Sequence, residues 1–249
     1  PPALLYTLFE GPRAAMELAA LIGAGSHLWW APSGDGGKVI VLPGFSLDDS
    51  STLWLRSYIA WLGYEVHGLG VGANFGRRTF GDGFRRLDSL IDDLRGDQRV
   101  SLVGHSLGGV MARDYARRHP EHVARVVCLG SPHVGDERSM PAGVVWWRRT
   151  MTDEDVTAQP DPSPLPVPHT IIYSDTDGIV SPFDCRGDHA EADNVRVSGS
   201  HLGLVANAQA FRVIAERLGA DVQERRRLAD VETVPERPRN LAGTRALAV

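Results

Sequence analysis

Residues 99–118 read RVSLVGHSLGGVMARDYARR. Val100 to Val103 is a short apolar run of the kind a buried strand uses. From Val110 to Tyr115 the pattern turns helical, and Arg117 and Arg118 stand where a helix C-terminus favours cations. Between strand and helix lies Gly104-His105-Ser106-Leu107-Gly108. A chain that turns from strand straight into helix has no room for bulk beside the apex. Glycines two residues before and two after Ser106 meet that need. The serine hydroxyl is left on a strained elbow, next to a helix N-terminus whose amides stabilise negative charge.

Working outward, the alternation of strand and helix continues on both sides. Lys38 to Leu42 (KVIVL), Tyr64 to Val66, Val123 to Leu129, His169 to Tyr173 and Asn194 to Val197 read as strands. Asp49 to Leu62, Phe84 to Leu94 and Ala206 to Leu218 read as helices. The first takes its N-cap from Asp49, Ser50 or Ser51 and ends at Gly63; the last ends at Gly219. This rhythm predicts an α/β fold: a mostly parallel sheet of about six strands flanked by helices, with the site at the strand C-terminal ends.

Set between that strand and that helix, the elbow resembles the α/β-hydrolase family, its lipase and esterase branch in particular. The resemblance covers about Lys38 to Leu218. It implies Ser106 as nucleophile, with an acid and then a histidine further along the chain. It also implies an oxyanion hole formed by two amides, Phe45 N–H in the loop Pro43-Gly44-Phe45-Ser46 and Leu107 N–H after the nucleophile. Many lipases have His-Gly where this chain has Pro43-Gly44, a departure at a side chain that leaves the amide in place. Gly130-Ser131-Pro132-His133 is similar to a lipase turn. Its histidine precedes the acid, so His133 is read as shaping the loop.

Asp175 and Asp177 both follow the strand that ends at Tyr173, and turn capping is the alternative role for either. The pattern Ser174-x-x-Asp177-Gly178-x-Val180 resembles the lipase acid loop and selects Asp177. Of nine histidines, His201 alone follows a late strand, sits among glycines and precedes the last helix. The order Ser106, Asp177, His201 is that of α/β-hydrolases. The glycine-rich loop Gly70 to Gly76 lacks the following helix and lysine of a phosphate loop. It reads as a structural loop near the site mouth, with Asn74 pinning the backbone.

Three regions flank or interrupt the domain at 38–220. Residues 1–37 are expected as a helical extension packed on it, with helices at Ala3 to Phe9 and Pro12 to Ile22. Leu4, Leu5, Leu8, Met16, Leu18 and Leu21 supply apolar faces that either cover the sheet edge or wall an acyl pocket. The stretch 136–168 has no slot in the rhythm and reads as a lid-like insertion or a packed surface excursion. Trp146 and Trp147 within it are expected to contact an apolar acyl chain or a lipid surface. Residues 221–249 are a polar tail carrying Arg225-Arg226-Arg227, expected to be mobile or draped over the surface.

A net charge of −5 gives no reason to expect nucleic acid. The two cysteines, Cys128 and Cys185, form no C-x-x-C pair, which argues against structural zinc and leaves the redox compartment undecided. Ala14 to Trp30 is broken by Glu17 and His27 and lacks a basic leader, so it reads neither as a membrane span nor as a signal peptide. That favours a cytoplasmic setting, while a start at Pro1 leaves room for a removed upstream segment. The expected activity is cleavage of a small-molecule carboxylic ester with no metal and no organic cofactor. Acyl transfer or thioester cleavage by the same triad is the alternative, with a non-catalytic binding module behind it. Serine rather than aspartate at the elbow disfavours a dehalogenase or epoxide hydrolase. Oligomeric state is not legible in the sequence.

Overall fold

Among the described residues, every strand pairs in parallel with its neighbours, in one sheet of six. The strands are β1 Lys38–Leu42, β2 Glu65–His67, β3 Val100–His105, β4 Val123–Leu129, β5 His169–Ser174 and β6 Asp193–Val197. Their spatial order is β2-β1-β3-β4-β5-β6. The helices are α1 Leu4–Leu8, α2 Glu10–Gly23, α3 Leu53–Trp61, α4 Arg85–Arg95, α5 Leu107–Arg118, α6 Pro182–Cys185 and α7 Ala208–Glu232. The structure is a computed structural model and describes residues 2–23, 28, 30–76, 85–96, 98–133, 141, 145, 163–187 and 193–232.

Strand side chains alternate between faces, and both faces of this sheet are covered. On one, Val39 and Val41 of β1 pack with Leu55 and Ile59 of α3 and with Phe211, Ile214 and Leu218 of α7. On the other, Ile40 and Leu42 pack with Leu87 and Ile91 of α4 and with Met111 and Tyr115 of α5. A strand buried on both sides has no polar alternate, which is why KVIVL reads as one continuous apolar run. From β1 the chain moves outward to β2, then returns to the other side of β1 as β3. The order reverses between β1 and β3, so the loops after these two strands open onto one crevice.

Four details differ from the sequence reading. The helix expected from Asp49 starts as a 3₁₀ turn, Asp49–Thr52, capped by Asp48, whose side chain accepts from Ser50 N–H at 2.9 Å. Asp49 reaches the loop after β2 instead, accepting from Leu69 N–H (2.9 Å) and Gly70 N–H (2.8 Å). The last helix starts at Ala208, after a 3₁₀ segment at Leu202–Ala206, and does not stop at Gly219 but runs to Glu232. Gly219 is there for a close approach: a Cβ on it would stand 2.5 Å from the Pro32 Cβ. The fourth difference is in the N-terminal helices. Leu21 is buried and Leu18 packs on the core, but Leu4, Leu5, Leu8 and Met16 face water. Most of the insertion expected at 136–168 lies outside the described residues, as does 233–249.

Candidate active site

The elbow has the conformation its glycines permit. Ser106 closes β3 with φ 52° and ψ −120° and α5 begins at Leu107. A Cβ on Gly104 would collide with the backbone of Gly108 and Gly109, and one on Gly108 with the Leu42 carbonyl. The only other non-glycine residue with positive φ among the described residues is Ser46, at 58°, in the loop after β1. Backbone strain costs about 1–3 kcal/mol per residue and gathers at sites. Here it gathers at the two loops facing the crevice.

The loop after β1 is held by Asn74. This fully buried side chain donates from Nδ2 to Pro43 O (2.7 Å) and accepts at Oδ1 from Gly76 N–H (2.9 Å). Its backbone carbonyl accepts from Ser46 N–H at 2.7 Å, and its N–H donates to Leu47 O at 2.8 Å. The pinning role expected of Asn74 is therefore seen in full. Phe45 sits within this frame, its ring edge-to-face with Phe75 at 5.8 Å. A Cβ on Gly44 would stand 3.4 Å from the Ser106 Cβ, so the loop runs against the elbow. Leu107, the first residue of α5, carries one of the amides that a helix leaves without an intrahelical acceptor.

The two aspartates after β5 have opposite surroundings. Asp175 is exposed and pairs with Arg196 at 3.0 Å on the surface. Asp177 is 1% exposed. Its Oδ1 accepts from Ile179 N–H and Val180 N–H, both at 2.8 Å, and its Oδ2 lies 2.7 Å from His201 Nδ1. His201 is 2% exposed, in the turn after β6. Its ring packs on that of His105, the residue before Ser106, with centroids 4.9 Å apart. Burial by itself would lower the His201 pKa. The charge and hydrogen bond of Asp177 and the charge of Glu10 outweigh it, and the group sits above its ordinary 6.5.

Several residues of this neighbourhood were not singled out from the sequence. His105 Nε2 donates to the His201 carbonyl at 3.0 Å, tying the histidine turn to the elbow strand. Burial, and then the nearby His201, push the His105 pKa down to about 3, which keeps the ring neutral. Ser174 Oγ donates to Gly199 O at 2.6 Å, so the serine of the acid-loop pattern joins that loop to the histidine turn. Glu10, Arg13 and Glu17 of α2 also reach both loops. Their signal in the sequence is only that Glu10, Glu17 and Leu21 share one side of a helix. His133 is buried with its ring stacked on His169 at 5.2 Å, in keeping with a loop-shaping role. Trp146 and Trp147 lie outside the described residues.

Among the described residues, one group of three presents ligand atoms close enough for a metal: Asp88, His119 and His122, within 4.8 Å of one another. It lies ahead of β4, on the side where the strands begin. There the Tyr115 hydroxyl donates to Asp88 Oδ1 (2.9 Å) and lies 3.0 Å from His122 Nδ1.

A family model described as alpha/beta hydrolase fold matches residues 84–164, the stretch that contains the elbow. A monoacylglycerol lipase from Paleococcus ferrophilus superposes with a TM-score of 0.56 at 15% identity, over 77% of this chain and 97% of its own. The chain has the α/β-hydrolase fold. The thioesterase domain from the curacin biosynthetic pathway shares the α/β-hydrolase fold with it at a TM-score of 0.53 and 16% identity, over 76% and 92% of the two chains. A curated relative, homoserine O-acetyltransferase of Natronomonas pharaonis, is 26% identical over 171 residues, which are 59% of this chain and 41% of the relative. The pimeloyl-[acyl-carrier protein] methyl ester esterase of Aromatoleum aromaticum is 42% identical over 59 residues, 24% of this chain and 23% of the relative. The α/β-hydrolase matches thus span less than half the length of these curated relatives.

Proposed function

We propose that this protein is a serine hydrolase that cleaves carboxylic esters through a Ser106-His201-Asp177 triad and an acyl-enzyme. The observation that carries the reading is the buried 2.7 Å contact from Asp177 Oδ2 to His201 Nδ1, with the imidazole packed on the ring of His105, the residue that precedes the elbow serine. Asp177 holds the Nδ1–H tautomer, which leaves Nε2 free to act as base. Ser106 Oγ adds to the ester carbonyl as its proton passes to His201 Nε2. The carbonyl oxygen becomes an oxyanion that accepts from the Phe45 and Leu107 amides. Collapse breaks the bond to the alcohol, and His201 returns the proton to the departing oxygen. Water then repeats the sequence on the acyl-serine, and acid and free Ser106 result. The scheme calls for no metal and no organic cofactor. The Phe45 and Phe75 rings, packed edge-to-face in the loops after β1 and β2, favour a small-molecule ester with an apolar acyl group.

Hydrolysis of p-nitrophenyl esters of increasing chain length tests the reading. Ser106→Ala should remove turnover and labelling by a fluorophosphonate probe; turnover within a few-fold of the parent would overturn it. Acyl transfer is the second reading, favoured by the similarity to a homoserine O-acetyltransferase. Product analysis with water and an alcohol in competition separates the two, since a transferase yields mainly the new ester.

A further inference from the structure

Besides Leu18 and Leu21 on the core, the N-terminal helices meet the loops after β5 and β6 through polar and charged side chains. Glu10, at the start of α2, is 5% exposed. Its Oε1 accepts from Gly178 N–H at 2.7 Å and from His201 N–H at 3.1 Å, and its Oε2 accepts from Leu202 N–H at 3.0 Å. One carboxylate therefore joins the residue after Asp177 to the two amides that flank His201. The neighbouring contacts serve the same two loops. Thr7 Oγ1 donates to Gly178 O at 2.6 Å, and Arg13 donates to the Thr176 carbonyl and hydroxyl, both at 2.8 Å. Two turns along α2, Glu17 Oε1 accepts from Ser200 N–H at 2.6 Å. Gly178 is built to receive the helix: a Cβ there would stand 2.7 Å from Glu10 Oε1.

A helix needed only to cover a sheet edge would do so with apolar side chains, whose burial is favourable. A buried carboxylate is costly unless every oxygen finds donors. This one finds three amides, with the Arg13 guanidinium 3.7 Å away. Meanwhile the apolar residues Leu4, Leu5, Leu8 and Met16 of the same helices face water.

We propose that Glu10 is a positioning residue for the triad, fixing the acid loop and the histidine turn relative to each other and setting a negative charge behind His201. The proposal rests on the reading of Ser106, Asp177 and His201 as the triad. The titratable groups around His201 are Asp177 from the loop after β5, Glu10 and Glu17 from α2, and His105 from β3. Glu10 is among the charges that raise the His201 pKa, and it does not touch the scissile bond. Its loss should therefore lower kcat and move the pH profile while leaving KM alone.

The test uses the full chain and a p-nitrophenyl ester, with thermal unfolding measured alongside. Glu10→Gln keeps the size and removes the charge: kcat should fall about tenfold, KM should stay within about twofold, and the acidic limb of kcat/KM should move to lower pH. Glu10→Asp keeps the charge and shortens the reach: kcat should fall while the limb stays in place. Glu17→Gln removes a charge held one residue away, at Ser200 N–H, and its limb should move less than that of Glu10→Gln. Parent-level kcat in either Glu10 variant overturns the proposal, as does a limb unmoved in Glu10→Gln. If Glu10→Gln does not fold, Glu10→Asp decides. Ser106→Ala keeps the two readings apart, because turnover surviving in that variant defeats the triad itself, whatever Glu10 does.

Discussion

Asp175 and Asp177 stand on one loop, two residues apart, and have different fates. Asp175 pairs with Arg196 in water, where an ion pair contributes at most about 1 kcal/mol. Asp177 is buried on His201. Asp177→Asn should therefore cut kcat by roughly 10³–10⁴, because an amide no longer fixes the imidazole tautomer. Asp175→Asn should stay within about twofold of the parent in the same ester assay. A second consequence concerns pH. Burial opposes the charged form of His201, but Asp177 and Glu10 overcome it, so its pKa lies above 6.5. In the proposed mechanism His201 acts as base only when neutral, and kcat/KM should fall as pH drops through a midpoint above 6.5. His105, held neutral down to about 3, adds no second ionisation, so the limb should have the slope of one proton. A midpoint at or below 6.5 in a pH–rate series would contradict this. The elbow at Ser106 was legible because the glycines that a tight strand-to-helix turn needs leave a trace in local sequence. The choice between the aspartates rested on a pattern whose cause, Ser174 bonding to Gly199, is visible only in three dimensions.

Elements were legible where apolar periodicity and burial coincide, as in β1, β4 and α5. They were misread where a polar face is the buried one. In α1 and α2 Leu18 and Leu21 pack on the core while Leu4, Leu5 and Leu8 face water, and Thr7, Glu10, Arg13 and Glu17 bond to partners more than 160 residues away in the chain. No periodicity rule sees such a partner. Gly219 was misread for a related reason: a glycine late in a helix looks like a stop, but here it lets Pro32 approach. Two effects compete in Gly219→Ala. Helix propensity gains about 1 kcal/mol. A methyl 2.5 Å from a rigid proline ring costs about 1–3 kcal/mol in forced repacking. The clash should win, and thermal unfolding of the variant should come at a lower temperature than that of the parent. In the loop after β1 the balance is one-sided. Asn74→Ala strips the Pro43 carbonyl and the Gly76 amide of their partner inside the protein. The cost should be about 2–4 kcal/mol in denaturant unfolding, with a lower kcat because the Phe45 amide loses its frame.

At the scale of the whole molecule, the sheet dictates what chemistry is reachable by outside reagents. The six strands bury both cysteines: Cys128 on β4 within the apolar layer, and Cys185 at the end of α6, neither in a disulfide. Burial is the main cause raising both thiols. Cys128 is pushed up to about 11, and Cys185 is raised well above 9 with the charges of Asp177 and Asp184 adding to burial. Thiolate, the reactive form, is thus disfavoured twice over, by lost access and by raised pKa. A chromogenic disulfide reagent at pH 8 should find no fast-reacting thiol in the folded protein and two after denaturation, the number of cysteines in the sequence. Unfolding midpoints measured with and without reductant should coincide, since no covalent cross-link contributes to stability. A thiol that reacts at the rate of a free cysteine in the native state would mean that the layer around β4 opens far more often than its packing allows. The rate of that opening, followed by thiol exchange, would then measure the local stability of β4.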